Sequence, residues 1–270
     1  MSSRLRAIAT ENAQIVAAGG YRTRSGRQVA LAAAVAEAKA GTRIYGPDPV
    51  IPDEVPGAGS RATAFEVTGE SSTVAARRLA VDGPVAVLTF ASARNPGGGY
   101  VRGAKAQEEA LCRASALYET LLEARAYYEV HRAEPSTFYT DRVIHSPGVP
   151  VFRDDRGELL DAPFRAGFLT SPAPNAGTIR RQEPDRAHEI PAALARRAQR
   201  VLEVAALHGY PDLVLGAWGC GVFMNDPAEV AQAFRAPLTG RFAGVFDRVV
   251  FGILDRAPGP RRAFEAAFAD

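Results

Sequence analysis

The sequence predicts an α/β fold, a sandwich with a largely parallel or mixed sheet between layers of helix. Three observations carry this. Apolar runs of strand length recur at Ala64–Thr68, Val85–Ala91, Arg142–Ser146, Gly167–Ser171, Leu213–Ala217 and Arg248–Leu254. Segments of helical spacing separate most of them. The run Val85–Ala91 (VAVLTFA) is apolar throughout, as expected of a strand covered on both faces.

The elements follow in chain order. Residues 4–18 form an amphipathic helix, with Leu5, Ile8, Ile15 and Val16 near one face, Ser3 as cap and Gly19–Gly20 as stop. Val29–Ala40 is a second, alanine-rich helix closed by Gly41. Gly46–Gly59, with Pro47, Pro49, Pro52 and Pro56, is an extended connector. Residues 1–59 thus read as an N-terminal helical extension and connector, and 60–270 as the main domain. Within the latter, Ser71 or Ser72 caps a helix running to about Val81, and Gln107–Val130 is one long helix. Val149–Asp161 is a hairpin turning at Asp154–Gly157. Pro191 opens a helix that ends at His208, Asp226 caps one starting at Pro227, and residues 260–268 form the last.

Composition narrows the function. A chain of 270 residues has room for one large domain with an extension. A formal net charge of +2 is too small for a general nucleic-acid binder. Cys112 and Cys220 give neither a disulfide framework nor a cysteine-rich metal site. His131, His145, His188 and His208 lack ligand spacing, so no metal is expected. Without an apolar leader or a membrane-length apolar run, the expected compartment is the cytoplasm. Tyr127, Tyr128 and the pairs Arg180–Arg181 and Arg196–Arg197 read as helix faces and solvated charge.

The chemistry concentrates in Ser92–Ser115. A buried strand runs into Gly97–Gly98–Gly99, and a helix starts at Gln107 with Glu108 and Glu109 in its first turn. Three glycines let backbone N–H groups approach a ligand and make φ > 0 available. Strand, glycine loop and helix in that order place the loop over a phosphate or sugar. Paired carboxylates at its mouth suit glycosidic-bond chemistry, although acids at a helix start also suit the macrodipole. A second such loop, Gly216–Pro227, also follows an apolar strand, and Gly216, Gly219 and Gly221 make an anion nest there. It lacks the Lys-Ser/Thr of a nucleotide-kinase loop and the GxGxxG spacing. Phe223 is either a stacking or a core residue, and Cys220 a small residue in a tight turn.

GGG at Gly97–Gly99, seven residues, then QEE at Gln107–Glu109 resembles the signature of poly(ADP-ribose) glycohydrolases. GAWGCGVF at Gly216–Phe223 is similar to their diphosphate-binding loop. The N-terminal helices, the Val151–Asp161 hairpin and SPAPNAG at Ser171–Gly177 resemble the compact bacterial type. The resemblance implies a macrodomain-like three-layer sandwich with a mixed, roughly six-stranded sheet. It implies hydrolysis of ribose–ribose O-glycosidic bonds in poly(ADP-ribose), releasing ADP-ribose without a cofactor. Glu109 would be the acid/base and Glu108 a ligand for ribose hydroxyls. Asn95 would hold the distal ribose, Gly97, Gly98 and Gly99 would lie along that ribose and the phosphates, and Gln107 would complete this side. Gly219, Cys220, Gly221 and Val222 would bind the diphosphate, with Phe223 packed over the ligand. Glu66 is a candidate adenine contact. The implied partners are poly(ADP-ribose), ADP-ribose and poly(ADP-ribosyl)ated proteins, with no membrane or direct nucleic-acid contact. The implied state is a monomer, and the implied setting the DNA damage response.

Backbone geometry constrains the pair. Neighbouring Cα atoms lie about 3.8 Å apart and point about 100° apart on a helix. Glu108 and Glu109 therefore do not straddle a sugar as an inverting pair does, and a division of labour follows. Two other readings share the scaffold. A non-catalytic ADP-ribose reader needs the glycine loops but not Glu109; a mono-ADP-ribosyl-protein hydrolase differs in substrate.

Overall fold

The computed structural model describes residues 2–52, 54–55, 57–59, 61–254 and 259–269. Helix α1 (Ser3–Ala17) turns Ala9, Asn12 and Ile15 inward. Ser3 is its first helical residue and not its cap; Ser2 precedes it without a side-chain bond. Gly19, at φ +73°, then bends the chain into a hairpin of β1 (Gly20–Arg22) and β2 (Gln28–Ala30). The helix expected from Val29 starts later, as α2 (Ala32–Gly41), because Val29 pairs with Tyr21 and both are buried. A short strand, β3 (Arg43–Tyr45), follows. Three-residue strands leave too little alternation to read from sequence.

In the connector, Asp53 and Pro56 lie outside the described residues, as does Ser60 at the expected boundary. The rest of it is tied down. The fully buried carboxylate of Glu203 pairs with Arg200 and Arg241. Arg200 also donates to the Gly46 carbonyl at 2.7 Å, and Arg241 to that of Pro52 at 2.7 Å.

Next come β4 (Ala64–Thr68) and α3 (Ser72–Leu79), the latter capped by Ser71 Oγ, which accepts from Val74 N–H at 3.1 Å. β5 (Val85–Phe90) leads to the glycine loop. The long helix expected over Gln107–Val130 is three: α4 (Gln107–Ala114), α5 (Leu117–Leu121) and α6 (Arg125–Ala133). Ser115 breaks it. Its backbone is extended and bridges Val151, Ala116 N–H donates to Pro150 O at 3.0 Å, and Ser115 Oγ caps Leu111 O at 2.7 Å. Docking on a neighbouring strand overrides helical periodicity there.

β6 (Val143–Arg153) and β7 (Leu159–Ser171) merge the expected short strands and hairpin into one ribbon. A register shift between Ser146 and Val149 absorbs Pro147–Gly148, the dipeptide that reads as a break. The chain closes with α7 (Ala176–Gln182), α8 (Ile190–Leu207), β8 (Asp212–Leu215), α9 (Pro227–Thr239), β9 (Arg248–Gly252) and α10 (Gly259–Phe268). Asp226 caps α9 as expected, accepting from Ala228 N–H at 2.8 Å and Glu229 N–H at 3.2 Å. Among the described residues, no helix is long and apolar enough to cross a membrane.

The main sheet has seven strands in the order β3-β6-β7-β5-β8-β9-β4. β7, β5, β8, β9 and β4 run parallel; β6 is antiparallel to both β7 and β3. The seventh strand, beyond the roughly six expected, is β3 from the N-terminal segment. Strand alternation sends Ala86 and Leu88 of β5 into one core and Val85 and Val87 into the other. Helices α7–α10 cover the first face and α1–α6 the second, giving three layers.

Several side chains read as surface are interior. Tyr127 and Tyr128 are buried, and so is Arg197 at 1% exposure. Arg197 meets Asp141 at 3.0 Å and donates to the carbonyls of Pro172 (2.7 Å) and Phe138 (2.8 Å). Charge satisfied this fully is invisible in a sequence pattern, where an arginine pair on a helix reads as solvated. His145 and His208 stack at 3.7 Å, with the Tyr210 and Tyr45 hydroxyls at their Nε2 atoms.

Removing the Arg197 guanidinium leaves two buried carbonyls without that donor and Asp141 with only the exposed Arg196, at 3.4 Å. Arg197→Met should lower unfolding free energy by about 3–5 kcal/mol, read as a fall in urea midpoint at unchanged slope. A loss under about 1 kcal/mol would show that the strap is dispensable.

Candidate active site

The cavity opens at the C-terminal ends of the parallel strands, where open α/β sheets bind ligands. Phe90, Ala173, Ala217 and Gly252, at or just past the ends of β5, β7, β8 and β9, all line it, and its volume is about 1290 Å³.

Beyond β5 the chain folds back on itself. Ser92 Oγ accepts from Asn95 N–H at 3.2 Å, and Gly98 N–H donates to Asn95 O at 3.0 Å. Gly97 and Gly98 sit at φ +62° and +57°, in the left-handed region. A Cβ on Gly98 would lie 2.6 Å from Glu109 Oε1 and 3.1 Å from Glu108 Oε2. Both carboxylates thus converge on one glycine. Glu108 is 2% and Glu109 7% exposed. Each is held by one oxygen: Ser92 N–H donates to Glu108 Oε2 at 2.6 Å, and Gly99 N–H to Glu109 Oε1 at 2.8 Å. Glu108 Oε1 and Glu109 Oε2 are buried and unpartnered within the protein. Burial drives the Glu108 pKa well above the ordinary carboxylate range; the Ser92 and Gly97 N–H groups oppose this and the Glu109 charge adds to it.

Gln107 fixes where this helix starts. Its Oε1 accepts from Phe90 N–H at 2.9 Å, while its Nε2 donates to Leu88 O at 2.8 Å and Ser72 Oγ at 3.1 Å. The carboxamide binds α4 to the end of β5, so Gln107, although it lines the cavity, engages protein with both polar atoms.

The second loop follows β8. Gly219, at φ +71°, is enclosed: a Cβ there would meet Ala173 Cβ and Asn225 Nδ2, each at 2.5 Å. Asn225 is buried and donates from Nδ2 to Pro174 O at 2.8 Å and Gly219 O at 3.1 Å, shaping the loop from behind. Val222, 85% exposed, stands at the rim. The Phe223 ring lies 6.0 Å from that of Tyr139, which itself holds the left-handed φ of +57°.

Of the residues singled out in the sequence, Asn95, Gln107, Glu108, Glu109, Gly219, Cys220, Gly221, Val222 and Phe223 line this one cavity. Gly97, Gly98 and Gly99 do not; they stand behind the carboxylates and position them. Glu66 is not in the lining; Arg78 holds it at 2.8 Å. Among the described residues, no group of three or more His, Cys, Asp or Glu side chains is placed to hold a metal ion.

A family model described as the catalytic domain of microbial-type poly(ADP-ribose) glycohydrolase matches residues 9–154. The chain belongs to the microbial-type poly(ADP-ribose) glycohydrolases. Solved structures agree. That of the Thermomonospora curvata glycohydrolase is 46% identical, with a TM-score of 0.91 over 99% of this chain and 100% of that one. The same protein bound to the inhibitor ADP-HPD matches at 45% identity and TM-score 0.90, over 99% of this chain and 100% of that one. The Deinococcus radiodurans glycohydrolase in complex with ADP-ribose is 46% identical, with a TM-score of 0.82 over 87% of this chain and 97% of that one. No curated protein sequence matches. The family segment of this glycohydrolase includes the GGG…QEE stretch, and the second loop lies beyond it in the part matched by structure. Sequence reasoning missed Ser72, Thr73 and Tyr139 in the cavity lining, together with Arg4, Leu5 and Ile8 of α1 and the β6–β7 turn at residues 154–158. No local motif marks Tyr139; its position follows from Arg197, which donates to the carbonyls of Phe138 and of Tyr139 itself.

Gly98→Ala combines an unfavourable φ with a clash against both carboxylates. It should cut turnover about a hundredfold or more while the protein still folds, read by steady-state kinetics beside circular dichroism. Near wild-type turnover would mean that the carboxylate positions do not depend on this glycine.

Proposed function

We propose that the cavity takes the terminal ADP-ribose unit of poly(ADP-ribose), with Glu109 as acid/base and Glu108 as the ligand for ribose hydroxyls. The observation carrying this is the pair itself: two buried carboxylates on one glycine, each anchored by one oxygen and open at the other. Both stand on one side of the sugar, which favours a division of labour over an inverting pair.

Glu109 protonates the 2′-oxygen as the bond to C1″ breaks, and the adenosine side departs as an alcohol. Positive charge on the distal ribose is stabilised by the diphosphate and the carboxylates nearby. Water then adds to C1″ and gives its proton to Glu109, which restores the acid and frees ADP-ribose. Glu108, its pKa raised by burial, engages the ribose hydroxyls. The Gly219–Val222 backbone faces the diphosphate, Phe223 and Tyr139 bound the distal unit, and Asn95 reaches the ribose. The setting we infer is a cytoplasmic monomer clearing poly(ADP-ribosyl)ated proteins in the DNA damage response.

Glu109→Gln should abolish release of ADP-ribose from automodified poly(ADP-ribose), a loss of at least about a thousandfold, while ADP-ribose binding survives. Full activity in that variant would remove Glu109 from the mechanism. Activity by wild type on mono-ADP-ribosylated protein alone would replace the substrate.

Glu108 also sets a pH dependence. Its pKa is raised on folding, so between the ordinary carboxylate value and the folded one the native state binds more protons. Stability is therefore lost as pH rises through that window. Glu108→Gln removes the effect. Its thermal midpoint should equal wild type at the ordinary carboxylate pKa and exceed it increasingly as pH rises from there through the window. Parallel curves across that range would refute the buried, proton-bearing state.

A further inference from the structure

The cations lining the cavity are unevenly placed. The Gly219–Phe223 side meets a diphosphate with backbone alone. Apart from Arg94, whose Nη2 bonds the Pro135 carbonyl at 3.3 Å, the lining cations belong to a different wall: Arg4, Lys105, Arg113 and Arg156. That wall is one built surface. Ser2 N–H of the α1 cap bonds Gly103 O at 3.3 Å, Arg4 bonds Arg156 O at 2.6 Å, and a Cβ on Gly157 would lie 2.8 Å from Ile8 Cδ1. Helix α1 thereby joins the connector before α4 to the β6–β7 turn.

The wall starts beside Glu109. Arg113 lies one turn along α4 from it, and its guanidinium reaches back to the Ala104 carbonyl at 2.6 Å. Lys105, exposed and with no hydrogen-bond or ion-pair partner among the described residues, precedes Glu109 by one helical turn's length of chain. The acids on this wall are mostly engaged. Asp154 Oδ1 accepts from Arg156 N–H at 2.9 Å and Glu158 N–H at 2.8 Å, and Glu158 pairs with Arg24. With Glu158 paired to Arg24, Asp154 and Asp155 are the acids of the turn that offset the cations.

We infer that this wall is a subsite for the leaving side of the polymer, taking the diphosphate of the ADP-ribose unit whose 2′-oxygen departs. The inference rests on the glycohydrolase reading above. Cutting a ribose–ribose bond places one nucleotide diphosphate on each side of Glu109. Backbone N–H groups suit the one enclosed beside the second loop; exposed cations such as Lys105 and Arg156 suit the one that must leave. The subsite raises affinity for polymer without contacting the bond that breaks.

The test compares two substrates sharing the scissile bond: an ADP-ribose dimer, and ADP-ribose joined through the same linkage to adenosine without phosphates. Wild type should prefer the dimer in kcat/KM by about tenfold, more at low salt. Lys105→Ala should lose most of that preference, and Lys105→Glu should reverse it, both with unchanged affinity for free ADP-ribose. Equal loss on both substrates, or no loss on either, overturns the subsite. So does an effect confined to mono-ADP-ribosylated protein, which would assign the wall to the modified protein. Failure of wild type to cleave either compound sinks the glycohydrolase reading instead.

Discussion

The site depends on keeping two adjacent carboxylates buried. Bare burial of that kind is costly, and adjacent acids repel. The fold meets this with backbone: Ser92 N–H on one glutamate and Gly99 N–H on the other. Those donors reach their targets only because the chain at Gly97–Gly99 carries no side chains. The glycine run and the Glu-Glu pair are therefore one device. The cost that remains falls on Glu108, whose burial raises its pKa well above the ordinary carboxylate range.

Around that device the fold works at longer range. Gln107 locks the start of α4 to the end of β5, so carboxylate position follows strand position. Arg197 gathers three backbone carbonyls and Asp141 behind the opposite side, holding Tyr139 in a backbone conformation that it would not adopt alone. Asn225 does the same for the second loop from a buried position. Rigid supports on three sides allow a cavity this large to present a few polar groups in fixed directions.

Much of this was legible in the sequence, for identifiable reasons. The central parallel strands β5 and β8 read well because their apolar runs face a core on both sides, and the two glycine loops read well because glycine runs after such strands have few other uses. Asp226 caps as local chemistry dictates, and of Ser71 and Ser72, between which the sequence leaves the cap of α3 open, Ser71 takes it, whereas Ser3 does not cap α1. What failed was set by distant partners. Ser115 ends a helix because Val151 and Pro150 lie across from it. Pro147–Gly148 interrupts nothing because a register shift takes it up. Arg197 is interior because four acceptors await it. β3 is too short to carry a pattern, yet it borders the sheet through β6. In the site, local sequence found the residues that touch one another along the chain, and missed Tyr139 and the α1 wall, which arrive from elsewhere.

The sheet order has a consequence for how the molecule comes into being. β4 lies at an edge and its sole sheet neighbour is β9, with Ala64 opposite Arg248. A ribosome delivers the former long before the latter. Until then the early strand has no ladder, β8 lacks one of its two flanks, and the Gly252–Leu254 part of the cavity does not exist. The two buried carboxylates emerge early, yet the pocket that they line closes only when almost the whole chain has been made. Such distant pairing makes assembly slow and late, and it couples activity to completed folding: a partly synthesised chain carries the acids without a place for the sugar.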